Sequence, residues 1–274
     1  MEVKAAFEEA CRALNGDRRR AYEVFDGLFQ MDRKALLMNP EKNLSEADVS
    51  RLRHVIEKMA RGMPMAYALK KAYFYGEAFY VDERVLIPRY DTERSVDAIL
   101  RLSTKAKRIL EIGTGSGCVA MTLGRLFPEA TIDAADISKD ALNVAETNKK
   151  MHGASNVHFI HSDLFSSIEG TYDVIYSNPP YITADEMKAL DDSVVRYEPH
   201  LALEGGEDGL DFYRRIIEAA PRFLNTGGYL VFEIGAKQRK DVEDLLHGHG
   251  FSAIGFEKDF GGLDRVVFGR LDNV

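Results

Sequence analysis

Cysteine is scarce in this 274-residue chain: Cys11 and Cys118 are the only two, far apart and each inside an apolar helical pattern. No disulfide staple is required, and the pair reads most simply as buried reduced thiols suited to a reducing compartment. No continuous apolar stretch reaches membrane-spanning length, which argues against insertion in a bilayer. The N-terminus opens on a charged amphipathic pattern in place of a basic-then-apolar leader, so the expected location is cytoplasmic. Metal-ligand spacing is missing too. His158 with His161, and His247 with His249, have no nearby cysteine or suitably spaced acid, and no metal is expected. Neither an internal repeat nor a low-complexity tract is present.

The net charge of −8 is unevenly placed, because residues 1–72 hold 14 Lys/Arg against 11 Asp/Glu and the remainder holds 22 against 33. An acidic remainder without an extended Lys/Arg-rich insertion argues against a long nucleic-acid groove, which needs clustered cations. The short run Arg18-Arg19-Arg20 reads as a solvated corner. The length suffices for one large domain or for a large and a small one, with a true core, and a monomer is the default expectation.

Residues 1–70 alternate helical periods with short breaks. Val3, Phe7, Ala10 and Leu14 share a face, as do Val49, Leu52, Val55, Ile56 and Met59. The segment Ser45-Glu-Ala-Asp48 predicts a helix start and Arg61-Gly-Met-Pro64 an end. A helical bundle over 1–72, a β-hairpin linker over 73–84 and a catalytic domain over 85–274 follow. In the last, strand patterns at 108–112, 131–135, 157–160, 173–177 and 229–234 alternate with helices at 116–127, 140–151, 210–223 and 237–247. That alternation predicts an α/β fold, a parallel sheet with helices on both faces. Patterns at 251–257 and 265–269, joined by Gly261-Gly262, predict a terminal antiparallel hairpin.

Two segments carry chemistry. Glu111-Ile-Gly113-Thr114-Gly115-Ser116-Gly117 follows a buried strand and opens a helix, so the chain can turn sharply and its N–H groups can approach a ligand. Asp136 ends the next strand at the interval where an acid accepts ribose hydroxyls. Asp163 ends the third and can receive an adenine amino group, with Leu164 against the ring. The spacing departs from dinucleotide loops, and Glu111 would repel a pyrophosphate while suiting the cationic amine of S-adenosylmethionine.

The second segment, Asn178-Pro179-Pro180-Tyr181, ends the fourth strand beside that loop, and its prolines stiffen it. The Asn178 side-chain oxygen and the Pro179 carbonyl can each accept one N–H of a planar amide or amine, aiming its nitrogen at a methyl group. Tyr181 can pack on the planar group. Together the segments predict methyl transfer to nitrogen. The motif alone leaves a glutamine amide, an exocyclic amine of adenine or guanine in DNA or rRNA, and a non-catalytic donor-binding module open.

Over nearly its whole length the chain resembles the N5-glutamine methyltransferases of peptide chain release factors, the HemK/PrmC family. Besides the two motifs, the similar segments are Val85-Leu-Ile-Pro-Arg89 with Thr92-Glu93, Arg196-Tyr-Glu-Pro199, Gly205-Gly206 with Asp208-Gly209-Leu210, Glu233-Ile-Gly235 and Asp264-Arg265. The resemblance implies a helical N-terminal domain, a hairpin and a Rossmann-like catalytic domain. It further implies S-adenosyl-L-methionine as cofactor and methylation of the glutamine in the Gly-Gly-Gln motif of release factors, with donor contacts at Gly113 to Gly117, Asp136, Asp163, Leu164 and Asn178, and substrate contacts at Asn178 to Tyr181. Two positions depart from the family: the loop reads Pro-Arg-Tyr-Asp-Thr-Glu where Pro-Arg-Pro-Glu-Thr-Glu is common, and Leu164 stands where some members carry tryptophan.

Overall fold

A computed structural model describes residues 1–272. Five helices come first: α1 (Val3–Ala13), α2 (Arg18–Phe29), α3 (Arg33–Met38), α4 (Glu46–Ala60) and α5 (Met65–Leu69). Asp17, Asp32 and Ser45 cap three of them, each side chain accepting the N–H of the residue three further on, a donor no helical carbonyl can reach. Their apolar stripes close around Phe7, Phe25 and Leu52 into one core. The hairpin β1 (Ala72–Phe74) and β2 (Glu77–Phe79) turns at Tyr75-Gly76, both at positive φ. Tyr75 is held in that strained region because its N–H donates to Glu93 at 2.7 Å and its hydroxyl to Asp97 at 2.9 Å.

The remaining elements are α6 (Glu93–Leu102), β3 (Arg108–Ile112), α7 (Cys118–Leu126), β4 (Thr131–Asp136), α8 (Lys139–His152), β5 (Val157–His161), β6 (Tyr172–Ser177), α9 (Ala184–Met187), α10 (Asp192–Tyr197), α11 (Asp211–Ala219), β7 (Leu224–Glu233), α12 (Arg239–Gly248), β8 (Phe251–Lys258) and β9 (Asp264–Leu271). The sheet order is β5-β4-β3-β6-β7-β9-β8, with the first five strands parallel and β9 antiparallel to both neighbours. Helices α6 and α7 contribute to the apolar cluster on one face, α11 and α12 to that on the other. The α/β class and the closing hairpin are as expected.

Two details differ from expectation. Strand β7 begins at Leu224 rather than Tyr229, because Gly227-Gly228 lies within the strand where register against β6 shifts between Tyr172 and Val174. Asp173 secures that irregularity by accepting the Lys107 and Arg108 N–H groups and the Asn225 side-chain amide. Helices α9 and α10, of four and six residues, were not expected; neither is long enough to display a helical period.

Helix α5, the hairpin with the segment after it, and helix α8 meet at a small apolar cluster of Tyr67, Ala72, Val81, Val85, Ala141 and Val144. The buried Tyr67 hydroxyl donates to the Val85 carbonyl at 2.5 Å, and the Tyr197 hydroxyl to the Arg61 carbonyl at 3.1 Å. Among the described residues, no helix is long and apolar enough to cross a membrane, no group of His, Cys, Asp and Glu could hold a metal ion, and both cysteines are buried and unpaired.

Candidate active site

Strands β3 and β6 are neighbours, and their last residues, Ile112 and Ser177, stand opposite each other. The Ser177 hydroxyl donates to the Ile112 carbonyl at 2.9 Å, locking the two ends flush. This is the point where the chain, having built β4 and β5 on one side, crosses to the other side of β3, and ligands bind at such reversals, outside the carboxyl ends of the strands. A cavity of about 270 Å³ lies there, lined by residues 111–116, 136–138, 162–164 and 178–180, with Arg89 and Thr92 from the loop preceding α6.

Gly113, Gly115 and Gly117 all have positive φ, which explains glycine at each. They serve different ends. A Cβ at Gly113 or Gly115 would meet nothing within 4 Å, whereas one at Gly117 would lie 3.0–3.2 Å from Met121, Phe159 and Ala145. Gly117 therefore seats α7 against its neighbours and does not line the cavity. The loop N–H groups are also engaged inside the protein: Gly113 and Thr114 donate to the Ala135 carbonyl at 2.8 and 3.0 Å, Gly115 to Asp136 at 2.9 Å, and Gly117 to the Thr114 carbonyl at 2.9 Å. Those four N–H groups are engaged internally, contrary to the expectation that they approach a ligand; the strand ends offer the carboxylates of Glu111 and Asp136, and the loop offers close approach.

Asp136 accepts Gly115 N–H on one oxygen and Ser138 N–H on the other, both at 2.9 Å. Burial raises its pKa against those bonds, and each oxygen keeps a lone pair for a ligand hydroxyl. Glu111 is only 3% exposed and accepts the Thr114 hydroxyl at 2.7 Å. Burial pushes its carboxyl up to about 8, against the lowering by Thr114, so a cation is what would ionise it. Asp163 is half-exposed and pairs with Arg215 at 2.9 Å. Leu164 sits at φ +49°, a conformation costing roughly 1 kcal/mol or more; the Ser162 hydroxyl holds it by donating to its carbonyl at 2.8 Å.

Asn178, Pro179 and Pro180 line the same cavity, but Tyr181 does not. Its ring packs with the apolar cluster behind the loop, close to Gly235. Burial, with Glu233 nearby, raises its phenol pKa while Arg265 opposes the shift. The acceptor loop is clamped from behind. A Cβ on Gly205 would lie 2.6 Å from Tyr181 Cα and 2.8 Å from the Pro180 carbonyl oxygen, so only glycine permits this approach. Gln238 accepts the Gly235 N–H at 3.0 Å and donates to the Tyr181 and Gly209 carbonyls, both at 3.1 Å. Above the cavity, Arg89 pairs at 2.6 Å with Glu198, whose side chain is 1% exposed and also accepts the Ile87 N–H at 3.2 Å.

Sequence reasoning assigned no role to Gln238 or Asn148. Asn148 donates to the Ser116 and Tyr80 carbonyls at 2.9 Å and accepts the Tyr80 N–H at 2.7 Å, joining α8, the donor loop and the hairpin. A signal existed for it: Asn148 continues the buried face Ala141, Val144, Ala145, where an unpaired amide would be costly. Gln238 leaves no such trace, since its partners come from three separate segments.

A mostly parallel seven-stranded sheet with a terminal antiparallel hairpin, a glycine loop after β3, an acid ending β4 and Asn-Pro-Pro after β6 define a class I methyltransferase. Residues 97–253 match the Methyltransferase small domain family and residues 2–69 the PrmC N-terminal domain family. The chain is 40% identical over 242 residues to a release factor glutamine methyltransferase from Geobacter sulfurreducens, covering 88% of this chain and 85% of that one. It is 37% identical over 278 residues to one from Clostridium acetobutylicum, covering 97% and 98%. Among solved structures, the hMettl16 catalytic domain in complex with MAT2A 3′UTR hairpin 1 superposes with a TM-score of 0.60 at 16% identity, covering 93% of this chain and 90% of that one, a likeness of fold alone. The chain belongs to the release factor glutamine methyltransferase family.

Proposed function

We propose that the protein transfers a methyl group from S-adenosyl-L-methionine to the N5 amide nitrogen of the glutamine in the Gly-Gly-Gln motif of peptide chain release factors. The observation that carries this reading is the flush end of β3 and β6, which opens the glycine loop and Asn178-Pro179-Pro180 onto one cavity in a chain of this family. The donor set fits the cofactor: a buried carboxyl that favours a cation, a second carboxylate with free lone pairs, and an aliphatic side chain beside a third acid. Glu111 would hold the donor's amine, Asp136 its ribose hydroxyls, and Asp163 with Leu164 its adenine. When bound, the cofactor supplies a methyl carbon on a positively charged sulfur.

The substrate nitrogen is the difficulty, because its lone pair is delocalised into the amide carbonyl. Asn178 Oδ1 and the Pro179 carbonyl would each accept one amide hydrogen, holding the nitrogen in line and stabilising the positive charge that grows there as the C–N bond forms. Proline φ values are fixed before substrate arrives, so little of this positioning is lost to reorganisation. Tyr181 anchors the loop from behind, its carbonyl tied to Gln238.

The N-terminal bundle, acting in a monomer, supplies a second contact with the release factor, since a single glutamine offers little area for discrimination. Removal of residues 1–70 with unchanged catalytic efficiency on full-length release factor would overturn this. Donor affinity measured in parallel separates lost docking from damage at the Tyr67–Val85 contact. The reaction is tested by incubating labelled donor with release factor, adenine-containing DNA or ribosomal RNA, and locating the label by mass spectrometry. A methyl group on the Gly-Gly-Gln glutamine is expected; label confined to nucleic acid refutes the assignment.

A further inference from the structure

Between the cavity-lining Arg89 and Thr92 the chain presents an exposed aromatic surface. Tyr90, adjacent to the cavity-lining Arg89, is 63% exposed and stacks on Phe260, 62% exposed, with ring centroids 4.9 Å apart. Phe260 belongs to the turn between β8 and β9, where Leu263 is also exposed. The pair is held in place rather than loosely displayed. The Arg94 guanidinium lies 5.3 Å from the Phe260 centroid, and Asp259 fixes the turn by accepting the Gly261 and Leu263 N–H groups, both at 2.9 Å. Arg265 joins the turn to the acceptor loop: it pairs with Asp259 at 3.1 Å and Asp91 at 3.8 Å, donates to the Ile234 carbonyl at 3.1 Å, and stands near Tyr181.

We infer that Tyr90 and Phe260 form a docking platform for the polypeptide segment that carries the target glutamine. This rests on the function proposed above. A glutamine side chain is short, so its amide reaches Asn178 only if the main chain on either side lies across the cavity mouth, and the aromatic surface begins at Tyr90, between the cavity-lining Arg89 and Thr92. Flat rings offer contact area to peptide planes with little loss of side-chain freedom, and they favour a segment with few bulky side chains next to the glutamine. Rigid, exposed aromatics at the centre of a contact supply a disproportionate share of its affinity.

Because both rings are mostly exposed, Tyr90→Ala, Phe260→Ala and the double variant remain folded, which a melting curve checks. On full-length release factor the double variant raises KM at least tenfold, with kcat at saturation and donor Kd each within twofold of the wild type. Tyr90→Phe restores KM, because the ring and not the hydroxyl makes the contact. The single effects sum to more than that of the double variant, since removing either ring also dismantles the stack. A double variant with KM within twofold overturns the platform, as does one whose donor binding weakens in step with KM. Binding of wild type and double variant to release factor is measured directly as well. Wild type that binds without methylating would refute the proposed reaction, and a tenfold binding difference would still support the platform; equal binding overturns it.

Discussion

Glu111 should release a proton when the donor binds. Burial lifts its carboxyl from 4.5 to about 8, so the ionised form is disfavoured by about 5 kcal/mol relative to a carboxyl in water. At pH 7 about nine-tenths of donor-free protein therefore carries the proton. A donor ammonium beside the carboxyl reverses the preference, so binding expels roughly 0.9 proton, and each unit of pH below about 8 weakens apparent affinity by close to tenfold. Isothermal titration at pH 7 in two buffers of different ionisation enthalpy reads this directly, the slope giving the protons released. The wild type should release between about 0.5 and 1, and Glu111→Gln none, with a Kd that is flat between pH 6 and 7.5. That upper limit keeps the donor's own amine charged, since an α-amino group titrates near about 8. Absence of proton release in the wild type, with a flat Kd, would refute the pairing of a buried neutral carboxyl with the donor's amine.

Other outcomes follow from the same geometry. Asn178→Ala should lower turnover at least ~100-fold while donor affinity changes less than about tenfold, and Asp136→Ala should do the reverse; equal loss of both in either variant, by steady-state kinetics and calorimetry, contradicts the division of labour. Gln238→Glu sets a carboxylate against the Tyr181 and Gly209 carbonyls, and should cut kcat about tenfold or more with donor Kd nearly unchanged; unaltered kcat would remove Gln238 from any positioning role. Burial also pushes Glu233 up to about 7. A carboxyl raised on folding stabilises the folded chain fully below its unfolded value of 4.5 and loses that contribution as pH rises through about 7. The melting temperature of the wild type relative to Glu233→Gln should therefore fall between pH 5 and 8, and a rise across that window would contradict the sign.

The strands and their order of chemistry were legible because they rest on local signals. A buried apolar run ending in glycine fixes β3 and its loop, and an acid or Asn-Pro-Pro at a strand end marks a site wherever parallel strands finish together. What escaped depends on contacts across long stretches of chain. Glu198 reaches Arg89 across 109 residues, and nothing in either neighbourhood announces the partner. Tyr181 was placed against substrate from its adjacency to Asn178, yet the packing of its ring with Gly235 and the cluster behind the loop decides its direction. The three loop glycines look equivalent in sequence, yet only at Gly117 would a Cβ strike its neighbours.

Because Ile112 and Ser177 are paired partners, the gap between donor and acceptor is counted in residues of strand. One residue inserted into β6 would carry Asn178 outward by about 3.3 Å and turn it to the opposite face, and only a matching insertion in β3 would restore the span. The surrounding turns carry no such arithmetic. Selection can lengthen or exchange the rim that meets different macromolecules while the span over which a methyl group must travel stays fixed by strand length.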